Sequence, residues 1–537
     1  MKNISYIATL AITLLMSSCN AQKAGPNPQN ENRPQSQVEV SGDQKNILFL
    51  AIDDLKPLLS NYGEKQMKTP NFDRLAKMGV TFTNAHVQYA VCGPSRASVM
   101  TGTVPDRTKV WDLHTDFRES APQLKSMPEH LIEQGYETTA VGKIYHKGSS
   151  APGHDGKSWS MPHTLPDNYD PKYGEPAFSY YQTPENKAKF DALLAEAEKK
   201  GIKKNGKKRS YAFKKFKPST EAGDVSDTAY QDGLYTVEAL KKLDKLEASG
   251  KPWFLGVGYQ KPHLPFVAPK KYWDLYDRDK IDLAPFQQTA DGTPKFAYHS
   301  FGELRAFSDI DNDLRVGDKL PEAKQRELIH GYMACISYID AQLGILLDDI
   351  DRRGITEDTV IVLWGDHGFH LGDHTEWCKH SNFEQATRIP FMFAGPGVAK
   401  NKKDDAPVEL LDLFPTVFEL ANVKQSPQTD GKSLVPVLDN DPNTNLDQDY
   451  AFHQYRRQKR MGYAVRTTQY RYTEWHDNEY RSFDNYKESN IVGYELYDYK
   501  NDPLETKNFA KDPAYAKIRA ELKAKLKNEL VNKQANQ

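Results

Sequence analysis

The strongest chemical pattern in the sequence is the five-residue run CGPSR at 92–96, which continues as ASVMTG to residue 102. A proline two residues after the cysteine favours the start of a helix, so Cys92 is predicted at the positively polarised end of a helix with Arg96 beside it. We expect this environment to lower the pKa of the Cys92 thiol and to make it reactive.

A second set of residues could hold a metal ion. Asp53, Asp54 and Asp366 offer hard carboxylate oxygens, which suit Ca²⁺ better than Zn²⁺. His367 offers a softer nitrogen, so the residues alone also allow Mg²⁺ or Mn²⁺. The alternative for the adjacent pair of aspartates is a simple helix cap.

The remaining candidates carry positive charge or titrate near neutral pH. Three carboxylates and one divalent cation leave a charge of −1, and Arg96 and Lys143, together with Lys379 from a motif of the family resemblance given below, bring the crevice to about +2. Such a site suits a small oxyanion such as a sulfate monoester. His146 and His263 are suited to proton transfer. The alternatives are solvated lysines and structural histidines.

Four apolar, β-rich runs precede these residues and are predicted to be buried parallel strands at 46–52, 138–141, 253–257 and 359–364. They alternate with amphipathic helical segments, which predicts an α/β fold. Each run is followed by candidate residues: Asp53 and Asp54, then Lys143 and His146, then His263, then Asp366 and His367. Because open α/β sheets bind ligands at the carboxyl ends of their strands, we expect these residues to converge on one crevice.

Two helices are predicted from their endings, one over 128–134 before Gly135 and a long one over 322–353 before Gly354. An apolar stripe runs along the long helix, and Cys335 beside it is expected to be a core residue. After about residue 440 the sequence changes to short runs rich in Tyr and Arg. These predict a small antiparallel sheet, which a helix from Ala514 onward closes.

The N-terminus resembles a bacterial lipoprotein signal. Lys2 is followed by an apolar stretch over 4–16 and then by Ser-Ser-Cys at 17–19, so that Cys19 would be lipidated and become the mature N-terminus. The alternative is an ordinary cleaved signal with an incidental cysteine. Residues 20–45 are polar and predict a disordered tether. We therefore expect a protein of the bacterial cell envelope that faces the periplasm and contacts the membrane through this anchor alone.

The composition bounds the rest of the chain. With 537 residues, 38% of them hydrophobic and 27% charged, the chain predicts a globular body with a catalytic domain over 46–440 and a subdomain over 441–537. A net charge of −2 excludes the global basic field of a dedicated nucleic-acid binder, so no nucleic-acid partner is expected. Whether Cys335 and Cys378 form a disulfide is left open.

The run CGPSR, followed by Thr-Gly, resembles the signature of the type I sulfatases. Six further stretches are similar to that family, and their order is most similar to its iduronate-2-sulfatase branch. They are DD at 53–54, TPNFDRLA at 69–76, GKIYH at 142–146, QKPHLPF at 260–266, DHG at 366–368 and EWCKHSNF at 376–383.

The resemblance implies an alkaline-phosphatase/sulfatase-like fold, in which helices flank a large mixed, mostly parallel sheet and a smaller C-terminal α+β subdomain follows. It also implies that a maturation enzyme oxidises Cys92 to formylglycine and that one Ca²⁺ is bound. The implied calcium ligands are Asp53, Asp54, residue 92, Asp366 and His367.

The resemblance further implies roles in the reaction. A hydroxyl of the hydrated aldehyde at position 92 attacks sulfur, in a site where Arg96 is also catalytic, and Lys143 and Lys379 bind the sulfate. His263 protonates the leaving alcohol, and His146 helps the hemiacetal sulfate to collapse.

The implied substrate is a sulfated polysaccharide or oligosaccharide that contains uronate or rhamnose, such as ulvan, or a glycosaminoglycan. Phe369, where the branch has Trp, and Thr375, where Gly is usual, leave the sugar subsite open. Alternative functions are a formylglycine-dependent phosphodiesterase or phosphonate monoester hydrolase, and a non-catalytic glycan-binding lipoprotein. The basic run at 199–217 either contacts a long anionic glycan or is a solvated insertion loop, and the run at 455–460 either lines a subsite or is a solvated strand edge.

Overall fold

The computed structural model describes residues 43–146, 155–164, 181–439, 446, 448–477, 479 and 486–535. The predicted signal peptide with Cys19, the tether up to residue 42 and the predicted boundary at residue 440 lie outside the described residues. The described residues form one compact unit. In the part of the chain that the structure describes, the helices are too short or too polar to cross a membrane.

Within these ranges the chain forms the following strands: β1 (Asn46–Ile52), β2 (Gly79–His86), β3 (Glu137–Gly142), β4 (Thr220–Gly223), β5 (Trp253–Tyr259), β6 (Phe266–Pro269), β7 (Thr359–Gly365), β8 (His370–Leu371), β9 (Trp377–Cys378), β10 (Arg388–Ala394), β11 (Lys402–Asp404), β12 (Val408–Glu409), β13 (Ala451–Arg457), β14 (Arg460–Arg466), β15 (Tyr470–Asp477) and β16 (Ile491–Asp498).

The α-helices of the same ranges are α1 (Pro70–Met78), α2 (Cys92–Thr101), α3 (Pro105–Thr108), α4 (Phe117–Ser120), α5 (Met127–Glu133), α6 (Pro184–Lys199), α7 (Asn205–Lys215), α8 (Gln231–Ala248), α9 (Lys270–Trp273), α10 (Glu322–Arg353), α11 (Glu384–Thr387), α12 (Leu413–Leu420), α13 (Val435–Leu438) and α14 (Ala516–Ala535).

The large sheet has the strand order β11-β2-β10-β7-β1-β5-β3, with β12 also paired to β2. The four strands predicted from the sequence are neighbours, and β7, β1, β5 and β3 are mutually parallel. Strand β10 runs antiparallel to both β7 and β2. The predicted mixed, mostly parallel sheet is therefore confirmed, and the carboxyl ends of its four central strands lie side by side.

Helices cover both faces of this sheet, which explains why its central strands are apolar on both sides. From Ile47 to Ile52, every residue of β1 is at most 1% exposed. On one face α10 buries its predicted stripe, and Cys335 belongs to the same core. Both helix predictions are confirmed, since α10 has the predicted bounds and α5 lies within one residue of them.

The C-terminal part forms an antiparallel sheet in the order β13-β14-β15-β16, followed by helix α14. Leu522 and Leu526 of this helix are buried. The predicted small antiparallel sheet with a closing helix is confirmed.

Two further expectations are settled by the fold. Cys335 and Cys378 are free cysteines, so they do not form the disulfide that the sequence left open. The basic run at 199–217 is mainly helical and not a loop, because α7 covers 205–215 and packs on α6 through the rings of Phe190 and Phe213, whose centroids lie 4.9 Å apart. The run is the second half of a helical hairpin.

Candidate active site at the carboxyl ends of the central strands

Two adjacent strands place three carboxylates at one point. The backbone amide of Asp53 donates to the carbonyl of Tyr259 at 3.1 Å, and that of Asp366 donates to the carbonyl of Ile52 at 3.2 Å, so the backbone ladder continues past the strand ends. Asp54 then adopts a left-handed conformation with φ of 60°, which is strained for an aspartate. Its amide donates to Oδ1 of Asp366 at 2.9 Å, and this bond holds the turn in place.

Helix α2 brings the cysteine to these carboxylates. It begins at Cys92, as the sequence predicts, and all of its residues are buried. The hydroxyl of Ser95 donates to the backbone carbonyl of Asp366, which fixes the first turn of the helix against the end of β7. As a result, Sγ of Cys92 lies 3.2 Å from Nε2 of His367 and 3.9 Å from Oδ1 of Asp54.

The expected acidification of the Cys92 thiol is wrong. Burial raises the pKa of the thiol, Asp53 and Asp366 raise it further, and the opposing effects of Lys143 and Lys379 are too small to compensate. The pKa lies well above its usual value. The fully buried surroundings of α2 therefore outweigh the polarisation at the helix start, which sequence alone could not weigh.

Arg96 joins three strand ends through one fully buried guanidinium. Its Nε donates to Oδ2 of Asp366 at 2.8 Å, and its Nη2 donates to Oδ1 of Asp53 at 3.4 Å. Its Nη1 donates to the backbone carbonyls of Lys143 and Ile144, which follow β3. Through these bonds, Arg96 holds Asp53 and Asp366 next to the end of β3.

Lys143 reaches the same cluster from the end of β3. Gly142 has φ of 72° and turns the chain there, and the ammonium group of Lys143 donates to Oδ2 of Asp53. Burial would raise the pKa of Asp53, but Lys143, His263 and Arg96 outweigh it and hold the pKa well below its usual range. Asp53 is therefore ionised.

Lys379 contacts the carboxylates of Asp54 and Glu303. Its Nζ donates to both carboxylate oxygens of Asp54, at 2.9 and 3.0 Å, and to Oε1 of Glu303 at 2.8 Å. The residues on either side of Lys379 have φ of 72° and 79°, and Thr375 has φ of 65°. These left-handed conformations favour glycine, which explains why glycine is expected at position 375.

Sequence reasoning missed Glu303, which is a central residue of the site. Its Oε1 lies 3.3 Å from Nε2 of His263, and its Oε2 accepts from Nε2 of His380 at 3.3 Å. Glu303 follows no strand and belongs to no recognised motif, so no sequence signal pointed to it. As a fourth carboxylate it reduces the predicted charge of the crevice from about +2 to about +1.

The two predicted histidines both reach the site. Nδ1 of His263 donates to the carbonyl of Leu264 at 2.6 Å, so Nε2 is the nitrogen that faces Glu303 and the crevice. His146 is half-buried, within electrostatic range of Lys143, Asp53 and His263, and burial followed by Lys143 lowers its pKa to about 3. Its role in releasing sulfate stays a prediction.

The donor set fits a hard divalent cation. Ligand atoms of Asp53, Cys92, Asp366 and His367 lie within 4.8 Å of one another, and Asp54 belongs to an overlapping group. Nδ1 of His367 donates to the carbonyl of Gly368 at 2.9 Å, so in the neutral ring the lone pair of Nε2 faces Oδ1 of Asp54 at 3.2 Å. A divalent cation placed among these atoms would be compatible with the contact, and the surrounding oxygens favour Ca²⁺ or Mg²⁺.

The structure also shows where Phe369 and the run at 455–460 lie relative to the site. Phe369 is fully buried and stacks on Tyr332 beneath Lys379, so it supports the lysine and does not line a sugar pocket. In the 455–460 run, Tyr455 lies 3.0 Å from Nδ1 of His380, and Arg457 donates to the His380 carbonyl. The first part of this run therefore contacts His380, a neighbour of Glu303, and is more than a solvated strand edge.

The chain matches known proteins over most of its length. The Sulfatase family model matches residues 45–423, and the model described as N-sulphoglucosamine sulphohydrolase, C-terminal, matches residues 372–533. The chain is 31% identical over 542 residues to iduronate 2-sulfatase of Mus musculus, covering 89% of this chain and 93% of that protein.

Two solved structures share the fold. One, a protein in complex with its substrate D-glucosamine-2-N,6-O-disulfate, has a TM-score of 0.65 and 21% identity and covers 92% of this chain and 98% of that one. The other, a phosphonate monoester hydrolase from Silicibacter pomeroyi, has a TM-score of 0.67 and 20% identity and covers 92% of this chain and 96% of that one. The predicted fold is confirmed.

Proposed function

Because the chain belongs to the sulfatase family and is a sulfuric ester hydrolase, we propose that it removes sulfate from a uronate-containing glycan through a formylglycine made from Cys92. The observation that carries the proposal is the convergence of the Cys92 side chain, three aspartates and three cationic side chains in one buried crevice. The similarity to iduronate 2-sulfatase supports the uronate part.

The position of residue 92 fits this conversion. Its side chain opens α2 and faces His367 and Asp54, so that any group carried there points into the acidic cluster. A hydrated formylglycine would supply one hydroxyl for attack on sulfur and a second for the later release of sulfate. The sequence CGPSR is the segment that a maturation enzyme would recognise.

The metal would be held by Asp53, Asp54, Asp366, His367 and the oxygen that residue 92 carries after conversion. Bound there, a divalent cation would polarise the nucleophilic hydroxyl and the sulfate oxygens. Arg96 keeps Asp53 and Asp366 in place from behind, through bonds to both. The protein thus fixes its ligands before substrate arrives.

Sulfate binding is assigned to Lys143 and Lys379, which contact different aspartates of the acidic cluster. Each lysine keeps its charge, because the neighbouring carboxylates outweigh burial and raise its pKa above the usual value. A sulfate between them would meet two fixed ammonium groups, which stabilise negative charge that develops on its oxygens.

Proton transfer to the leaving alcohol is assigned to His263. The Leu264 carbonyl holds the Nδ1 proton, so Nε2 is the atom that can exchange a proton with substrate. Burial lowers the pKa of His263, whereas the Glu303 carboxylate at 3.3 Å and a bound anion both favour the protonated ring. Glu303 is thus a positioning residue for His263 and Lys379 together.

The proposed function includes a cellular location for the protein. The signal-like N-terminus supports lipidation of Cys19 and a catalytic body on the periplasmic side of a bacterial envelope. It rests on the sequence pattern at 2–19 alone.

The reaction class can be tested with substrates that share one leaving group. Sulfate monoesters carry one negative charge and phosphate monoesters nearly two, and a crevice of about +1 suits the single charge. After coexpression with a formylglycine-generating enzyme, we expect kcat/KM for p-nitrophenyl sulfate to exceed that for p-nitrophenyl phosphate roughly tenfold or more. Faster hydrolysis of p-nitrophenyl phenylphosphonate than of the sulfate would favour the phosphonate hydrolase alternative instead.

The role of His263 predicts a dependence on the leaving group. His263→Ala should lower kcat on a sulfated uronate disaccharide by about 10²- to 10⁴-fold, because a sugar alkoxide needs a proton as it leaves. The loss on p-nitrophenyl sulfate should be far smaller, since nitrophenolate leaves without one. Glu303→Gln should also lower activity more on the disaccharide than on p-nitrophenyl sulfate, but both losses should be smaller than those of His263→Ala. Equal losses on both substrates would remove the acid role from His263.

A further inference from the structure

We propose that the basic hairpin, residues 184–217 with helices α6 and α7, binds the anionic chain of a sulfated polysaccharide where it leaves the crevice. The inference rests on the proposed function and extends it from one sulfated sugar to a polymer. Three features carry it: the charge of the hairpin, its exposure and its connection to the catalytic loop.

The hairpin concentrates positive charge on a chain that is otherwise acidic. It contains twelve Lys or Arg and four Asp or Glu residues, an excess of +8, while the whole chain has a net charge of −2. The remainder therefore carries −10 and would repel a polyanion. The hairpin is therefore a surface that would attract a sulfated polymer outside the crevice.

The stability of the hairpin does not require this charge. Its two helices pack through Phe190 and Phe213 and through the buried Ala197 and Ala212. Glu196 pairs with two lysines of the hairpin, at 2.9 and 3.1 Å, and Glu198 pairs with a third at 3.2 Å. The excess cations on so short a segment repel one another, which costs stability and calls for a compensating partner.

The basic residues are available to a ligand. Lys203, Lys204 and Lys207 at the turn of the hairpin are exposed, as are Lys214 and Lys215 near the end of α7. They stand on a structured scaffold and not on an irregular loop. Binding would therefore order few residues beyond the lysine side chains themselves.

The hairpin is followed in sequence by β4, which pairs with the strand after the loop that carries His263. Just after it, the carbonyl of Ser219 accepts from the amide of Phe266 at 2.8 Å, and β4 then pairs in parallel with β6, three residues past His263. At the junction, the ammonium group of Lys217 lies 4.1 Å from the ring of Phe307 and within electrostatic range of Glu303. Positive charge thus extends from the exposed turn toward the residue that contacts both Lys379 and His263.

The test compares two triple variants with the same change of charge. One is Lys203→Gln/Lys204→Gln/Lys207→Gln in the hairpin, and the matched control is Lys280→Gln/Lys319→Gln/Lys517→Gln, three exposed lysines on other elements. Both are placed in a Cys92→Ala background, which cannot turn over, and binding of heparin decasaccharide and disaccharide is measured by calorimetry at 50 and 300 mM NaCl.

We expect the hairpin variant to bind the decasaccharide roughly tenfold more weakly at 50 mM NaCl, with a shallower salt dependence, and to bind the disaccharide almost as before. The control should bind both as the unsubstituted background does. Equal weakening in the two triples, or no weakening in the hairpin variant, would overturn the proposal.

Turnover separates this proposal from the one on which it rests. With residue 92 intact and matured, the hairpin variant should hydrolyse p-nitrophenyl sulfate at the unsubstituted rate. If the matured parent protein hydrolyses no sulfate ester, the proposed function fails, while selective loss of decasaccharide binding would still support the polyanion surface.

Discussion

Replacing Cys92 by alanine or serine should abolish the hydrolysis of p-nitrophenyl sulfate, with a loss in kcat/KM on the order of 10⁵-fold or more. Neither replacement can become an aldehyde under an enzyme that oxidises cysteine, so the nucleophile is absent and the rest of the site has nothing to position. The measurement is turnover of protein coexpressed with a formylglycine-generating enzyme, together with mass spectrometry of the peptide that contains residue 92.

The fold should survive these substitutions. The Cys92 side chain is 3% exposed and small, and its neighbours Asp54 and His367 keep their other partners. Melting temperatures of the variants should therefore stay within a few degrees of the parent. Cys335→Ala is a matched control, because it removes another buried thiol from the opposite side of the sheet and should keep full activity. Turnover by folded Cys92→Ala protein, or an unmodified thiol in an active parent, would contradict the mechanism.

The positions of most site residues could be predicted because strand ends are readable in the sequence. The runs that became β1, β3, β5 and β7 are continuous and β-branched, as buried parallel strands must be. Their ends lie together for a topological reason, so the polar residues that follow them had to share one crevice. Lys379 follows none of these strands and was found through its motif alone.

What could not be predicted depends on contacts across the chain. Glu303 lies in an irregular segment, and its importance comes from Lys379, His263 and His380, which reach it from distant parts of the sequence. The raised pKa of Cys92 has the same origin. The pattern CGPSR shows that a helix starts there, but not that every residue of the helix is buried.

The charged residues of the site are buried and depend on one another for their stability. Arg96, Asp53, Asp54 and Asp366 are at most 1% exposed, and each charge is tolerated only because its partners are in place. The carboxylates can then meet a cation without rearrangement. Such preorganisation makes the protein depend on each member of the network for its stability as well as for its activity.

Arg96→Ala should therefore be strongly destabilising, by about 3–5 kcal/mol in the free energy of unfolding, and should also abolish sulfate hydrolysis. The substitution leaves the buried carboxylates of Asp53 and Asp366 without their shared partner and frees the carbonyls of Lys143 and Ile144. Urea unfolding followed by circular dichroism gives the free energy, and p-nitrophenyl sulfate turnover gives the activity.

A matched control lies in the same protein. Arg74 also pairs with two aspartates, Asp348 and Asp351, each at 2.6 Å, but its side chain is 32% exposed and its partners are largely solvated. Arg74→Ala should cost no more than about 1 kcal/mol and leave turnover unchanged. Arg96→Lys keeps the charge but not the forked geometry, so it should fall between the two. If Arg96→Ala and Arg74→Ala lowered the free energy of unfolding by the same small amount, the pairs between carboxylates and lysines alone would hold the buried network, and Arg96 would not be needed for it.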